Sequence, residues 1–203
     1  MMNVLKNILE NNLEEFINDL IPNEIPETLR ESIIDYIKIR KELSNESDRG
    51  VALLSISIIE KLLEDLLKKR LLNEKKIIKD LFDGFGPLSS LSGKTKIAYS
   101  IGLIDKTIYD ELNLVRSIRN KFAHSPEIIK FSDEEIVQKC NNLKLVIKYK
   151  ELNSREKFIN STSRLNTLIT IEIEKIQKIE PKEFDHESLI KSHLKTLKKL
   201  GID

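Results

Sequence analysis

An all-helical fold follows from three features of this sequence. Apolar residues recur at spacings of three and four along most of its length, and clusters of polar residues punctuate the runs. Strand-like alternation is hard to find anywhere. Six glycines and five prolines are few for 203 residues and fall in clusters, so the breaks are local and the rest reads as helix. The expectation is a single multi-helix domain of about eight or nine helices.

Residues 3–20 read as a first amphipathic helix, with Leu5, Ile8, Leu9, Leu13, Phe16 and Leu20 on one side. Pro22 and Pro26 stop it. A second helix over 27–43 turns Leu29, Ile33, Ile34 and Ile37 inward. Residues 1–46 are therefore expected as a helical extension packed on the core. Ser44 to Asp48 is a polar break rich in capping residues. The next helix, Arg49 to Leu72, is apolar over most of its first half, which marks a central, buried element.

Leu81 to Gly93 is the one stretch rich in Gly, Pro and Ser. Its Gly93-Lys94-Thr95 invites comparison with a phosphate-binding loop, but six residues separate Gly86 from Gly93 where four are needed, and no apolar strand precedes it. A structured turn between two helices is expected instead. Ser92 to Leu103 then forms a short helix that ends at a Gly102 corner.

The best-defined helix runs from Asp105, its N-cap, to just before Pro126. Ile108, Leu112, Val115, Ile118 and Phe122 form its core stripe, and the other positions carry Arg116, Arg119, Asn120 and His124. Asn120 and His124 are four apart and so neighbours on one face. Arg119 and His124 are about 140° apart on an ideal helix, so they converge only if it frays near Ser125. Pro126 biases Ser125 toward such a break.

Ser132 to Glu135 has a capping-box pattern and opens a helix expected to reach about Leu152. Asn153 to Glu156 repeats the pattern and starts a long helix to about Glu180, which Pro181 ends. Residues 47–180 thus form the main helical domain, and 181–203 hold a C-terminal helix. That last helix offers Leu189, Leu194, Leu197 and Leu200 for packing, with Lys191, Lys195, Lys198 and Lys199 as a solvated face.

Composition narrows the function. With 34 basic and 33 acidic residues the net charge is +1, so no bulk attraction to nucleic acid or anionic membrane is present. One cysteine, Cys140, excludes an internal disulfide and reads as a small core residue of a protein in a reducing compartment. No secretory h-region and no run of eighteen apolar residues is visible, so a cytoplasmic location is expected. The three histidines, His124, His186 and His193, never fall at metal-ligand spacing, and no cofactor or metal is expected. No Gly-x-Ser-x-Gly motif appears, so nothing marks a serine hydrolase, and no helix-turn-helix beside a basic face appears, so sequence-specific DNA binding is not expected.

Arg119-Asn120-Lys121-Phe122-Ala123-His124 carries the chemistry that remains. An imidazole that takes a ribose 2′-hydroxyl proton and a guanidinium that stabilises phosphate charge suffice for metal-independent RNA cleavage. Glu60 and Glu64, one turn apart, either pair with Lys61 or Lys68 at a solvated edge or reach across to Arg119 or His124. A purely structural role is the alternative. Arg119 would then pair with Glu60 or Glu64, and His124 would cap the helix C-terminus.

The span from Arg49 to about Ile169 resembles the mannitol operon repressor family. The resemblance lies in Arg49-Gly50-Val51-Ala52, the Ile59 to Glu64 segment, Leu81-Phe82-Asp83-Gly84-Phe85-Gly86-Pro87-Leu88-Ser89-Ser90, Lys96-Ile97-Ala98-Tyr99 and Gly102-Leu103-Ile104. It continues through Ile118 to Ser125, Arg155-Glu156-Lys157-Phe158 and Arg164-Leu165-Asn166. It implies an all-helical regulator that works through protein partners and lacks a recognisable DNA-binding domain. The Arg119 to His124 stretch also looks like the Arg-x4-6-His motif of the HEPN superfamily, which includes RNA-cleaving toxins and defence ribonucleases. That likeness implies a HEPN-like bundle at the centre, with Arg119, Asn120 and His124 as site residues and Glu60 or Glu64 as acidic support. It also implies RNA as substrate and a site shared across a homodimer.

Overall fold

The computed structural model describes residues 45–147 and 151–200, together with Arg30, Ile34, Lys38, Ile39 and 41–43 ahead of them. The expected helix at 3–20 and most of that at 27–43 lie outside the described residues. From Asp48 onward the described residues form seven helices: α1 (Asp48–Arg70), α2 (Lys75–Phe82), α3 (Leu91–Ser100), α4 (Lys106–His124), α5 (Glu134–Asn141), α6 (Ser154–Lys175) and α7 (His186–Lys199). Among the described residues no strand occurs. The fold is all-α.

Helix α1 is the axis of the bundle. The Ser47 hydroxyl accepts from the Gly50 amide and caps it, and its inward residues from Val51 to Leu67 are buried. Helices α3, α4 and α6 all pack against it. Its charged ends fix their directions. Asp48 pairs with Arg155 at the start of α6, and Arg70 donates to the Gln177 carbonyl at 2.7 Å just past the end of α6, so α1 and α6 run parallel. Arg49 donates to the Ser125 and Glu127 carbonyls, at 2.9 and 3.1 Å, just beyond α4, which is therefore antiparallel. Phe131 is stacked between Phe122 of α4 and Phe158 of α6, with ring centroids 4.8 and 5.3 Å away.

The Gly93 position has a packing role. A Cβ there would lie 2.2 Å from the Pro87 carbonyl oxygen, so the close turn admits no side chain. Gly102, with φ at +73°, makes the corner that stops α3.

Two elements differ from the sequence-based expectation. Residues Lys75–Phe82 form α2, a short helix of their own within the stretch between α1 and the glycine-rich turn. Helix α5 ends at Asn141 rather than near Leu152. Beyond it, the Lys144 and Leu145 amides donate to the Glu111 carboxylate and the Ile147 amide to Asn160 Oδ1. Side chains of α4 and α6 thus take up backbone donors that would otherwise continue a helix. The cap of α5 differs as well. Asp133 is its N-cap, yet that side chain accepts from the Lys130 amide rather than from the helix.

The start of the next helix holds, whereas its end falls at Lys175 and not near Glu180. Asn153 and Glu156 form a reciprocal capping box at the start of α6. The C-terminal helix α7 forms, although none of its residues is buried.

Candidate functional site

Helix α4 carries every polar residue singled out in the Arg119 to His124 stretch. Asp105 caps it by accepting from the Ile108 amide at 2.8 Å, and its stripe from Ile108 to Phe122 is buried against the core. The helix stays regular through His124 and breaks at Ser125, whose ψ of 130° is extended, as the following proline requires. The break falls too late to draw His124 toward Arg119.

Arg119 and Asn120 are half-buried, and Arg119 Nη1 donates to Asn120 Oδ1 at 3.2 Å. His124 is exposed, and no hydrogen bond joins it to Arg119 among the described residues. One turn before Arg119, half-buried Arg116 donates through Nη2 to Asn113 Oδ1 at 3.3 Å. Asn113 is itself anchored to the Tyr109 carbonyl. Neighbouring Lys121 is spent on Glu135 of α5 at 2.8 Å.

Glu60 and Glu64 pair elsewhere. Lys94 of α3, with only 5% of its side chain exposed, lies 3.1 Å from Glu60 and 3.3 Å from Glu64, and Lys68 lies 2.6 Å from Glu64. No ion pair joins either glutamate to Arg119 or His124 among the described residues. The physical reason is that a buried ammonium needs a counter-charge, and α3 packs where these two glutamates supply it. Burial pushes the Glu64 carboxyl up, but the hydrogen bonds and charges of Lys68 and Lys94 outweigh it and hold it below the ordinary glutamate value.

Glu111 is the important residue that sequence reasoning missed. It is buried on the core face of α4 and accepts from the Lys144 and Leu145 amides at 2.9 and 3.1 Å and from the Ser161 hydroxyl at 2.5 Å. Its signal was its place on the apolar stripe, three residues after Ile108. A carboxylate on a buried stripe needs donors from elsewhere in the fold.

Cys140 is buried, and its surroundings push its thiol up to about 12, so it is an inert core residue. Among the described residues no group of three or more His, Cys, Asp or Glu side chains could hold a metal ion, and no helix is long and apolar enough to cross a membrane.

This helical frame also places the chain among known proteins. The family model described as "Mannitol repressor" matches residues 42–197. The chain belongs to the mannitol repressor family. Among curated relatives, the mannitol operon repressors of Escherichia coli K12 and of Escherichia coli O6:H1 (strain CFT073) are each 33% identical over 63 residues, 31% of this chain. That match spans about a third of the length of those relatives (32%). A chain in the X-ray structure of the MtlR-HPr complex from Escherichia coli resembles the fold with a TM-score of 0.51 at 19% identity, over 68% of this chain and 97% of the other. The family match extends on both sides of the Arg49 to Ile169 span that the motifs had marked, and it takes in most of α7.

Proposed function

We propose that this mannitol repressor family member is a cytoplasmic regulator that acts by binding another protein rather than by reading DNA. Membership of the family over residues 42–197 carries the proposal. The similarity of its fold to a chain solved with HPr makes HPr the partner to test. A net charge of +1 favours a protein partner over a polyanion, because phosphate contacts draw on an excess of Lys and Arg. Titration of the purified chain with the HPr of its own organism, read by calorimetry, is expected to show saturable binding. No heat and no complex at high micromolar concentrations would overturn the choice of HPr, and a sequence-specific gel shift at physiological salt would overturn the rest.

A second reading is metal-independent RNA cleavage by Arg119 and His124, with Asn120 beside the arginine and RNA as the substrate. One observation favours it: His124 is exposed and, among the described residues, Arg119 meets no carboxylate. The positions of Glu60 and Glu64, held by Lys94, lend it no support. Incubation of mixed single-stranded and structured RNA with the protein in excess EDTA tests it. Cleavage lost in both Arg119→Ala and His124→Ala would establish it. A homodimer with this face at its centre would appear as twice the chain mass in light scattering.

A further inference from the structure

We infer that Arg116 and Arg119 form a receptor for a phosphate dianion, either free or as a monoester. The inference goes beyond the protein-binding proposal and does not rest on it.

The accounting of cations leads there. Lys94 is matched by two carboxylates, and Arg155 by Asp48 and the Leu43 and Glu46 carbonyls. Arg49 and Arg70 are spent on backbone carbonyls. Arg116 and Arg119 differ from all of these. Each is half-buried, each has a single side-chain hydrogen bond among the described residues, and each bond goes to a neutral amide oxygen on its own helix. Among the described residues neither has a carboxylate within ion-pair distance.

A guanidinium offers five donors, so each of these side chains keeps several unused. Arg116 Nε is sealed from solvent and has no acceptor at all. Half-buried charge without a counter-ion is costly. Two like charges one helical turn apart add repulsion. One doubly charged anion relieves both costs, and the guanidinium fork matches phosphate oxygens in paired hydrogen bonds. Asn113 and Asn120 hold the two guanidinium groups beforehand, so little ordering remains when the anion arrives.

The same accounting disfavours a nucleic acid. A polynucleotide needs a basic track beyond the pair. Lys121 is instead neutralised by Glu135, Lys106 by Asp110, and Lys94 is buried among glutamates. Arg116 and Arg119, two positive charges one helical turn apart, fit one dianion.

Thermal unfolding of the whole chain tests this, with sodium phosphate, phenyl phosphate or sodium chloride at matched ionic strength. Either phosphate at about 10 mM is expected to raise the midpoint by about 2 °C or more, while chloride does not. Whether inorganic phosphate or phenyl phosphate acts more strongly assigns the source. Arg116→Gln and Arg119→Gln should each abolish the shift and leave the ligand-free midpoint equal or higher. If either glutamine variant fails to fold, the lysine variants carry the test. They keep the charge and lose the fork, so phosphate should bind about tenfold more weakly. The inference is overturned if neither phosphate shifts the wild-type protein, if the shift survives in the double glutamine variant, or if the lysine variants bind as tightly as the parent. It is also overturned if a short single-stranded RNA binds the same arginines far more tightly than phenyl phosphate does.

Discussion

Two clusters of partly buried charge in this protein are resolved in opposite ways. Between α1 and α3, Lys94 and Lys68 face Glu60 and Glu64, two positive groups against two negative, with the key contacts at 2.6 to 3.3 Å. On α4, Arg116 and Arg119 face no carboxylate among the described residues, and each leans on an asparagine of its own helix. The first cluster is complete, and its counter-charges come from inside the fold. The second is incomplete and has to draw its counter-charge from outside. Burial alone does not separate structural from binding charge; the presence of an internal partner does.

The contrast breaks most sharply at Lys94. Lys94→Met removes the cation and leaves Glu60 without its ion-pair partner and Glu64 with Lys68 and the more distant Lys61. Loss of one partner of a buried pair costs about 3–5 kcal/mol, and the glutamates here are about a quarter exposed, so a loss of about 2–3 kcal/mol is expected. Urea unfolding measures it. A change under about 0.5 kcal/mol would mean that the first cluster, too, is dispensable, and the contrast would fail.

Acid titration gives the next largest effect. The Glu64 carboxyl is held below the ordinary glutamate value of 4.5 once its lysine partners outweigh the effect of burial. Its contribution is therefore fully present above 4.5 and is lost as the pH falls below that through the lowered value. The urea midpoint should drop over that acidic range in the parent, and Glu64→Gln should make the drop shallower. Equal slopes in the two proteins would show that other carboxylates govern acid unfolding.

Local signals made much of this fold legible in advance. Asp105 and Pro126 bracket α4, the Asn153–Glu156 box opens α6, and Gly102 stops α3, because each acts within a few residues of where it is read. What escaped depends on distant partners. The stop of α5 comes from Glu111 and Asn160, 33 and 13 residues away from the amides they accept. The Lys68 partner of Glu64 lies one turn away and was legible, but Lys94, which bridges Glu60 and Glu64 from 34 residues past Glu60, was hidden. The site was legible in the same measure. The composition of the Arg119 to His124 stretch was plain, whereas the lack of a carboxylate partner for Arg116 and Arg119 among the described residues emerges only from the packed helices.

The smallest expected effect completes the contrast. His124 is exposed at the last position of α4, and the turn beyond it is held by Arg49, whose guanidinium bonds the Ser125 and Glu127 carbonyls. His124→Ala should therefore change the unfolding free energy by less than about 0.5 kcal/mol. Arg49→Ala, which frees two carbonyls at the same turn, should cost more, on the order of 1–2 kcal/mol. If the order were reversed, His124 would be a structural cap like Arg49, and both the catalytic reading and the open character of this face would lose their footing. If it holds, the exposed histidine and the two unmatched arginines lie on a helix whose stability does not depend on them.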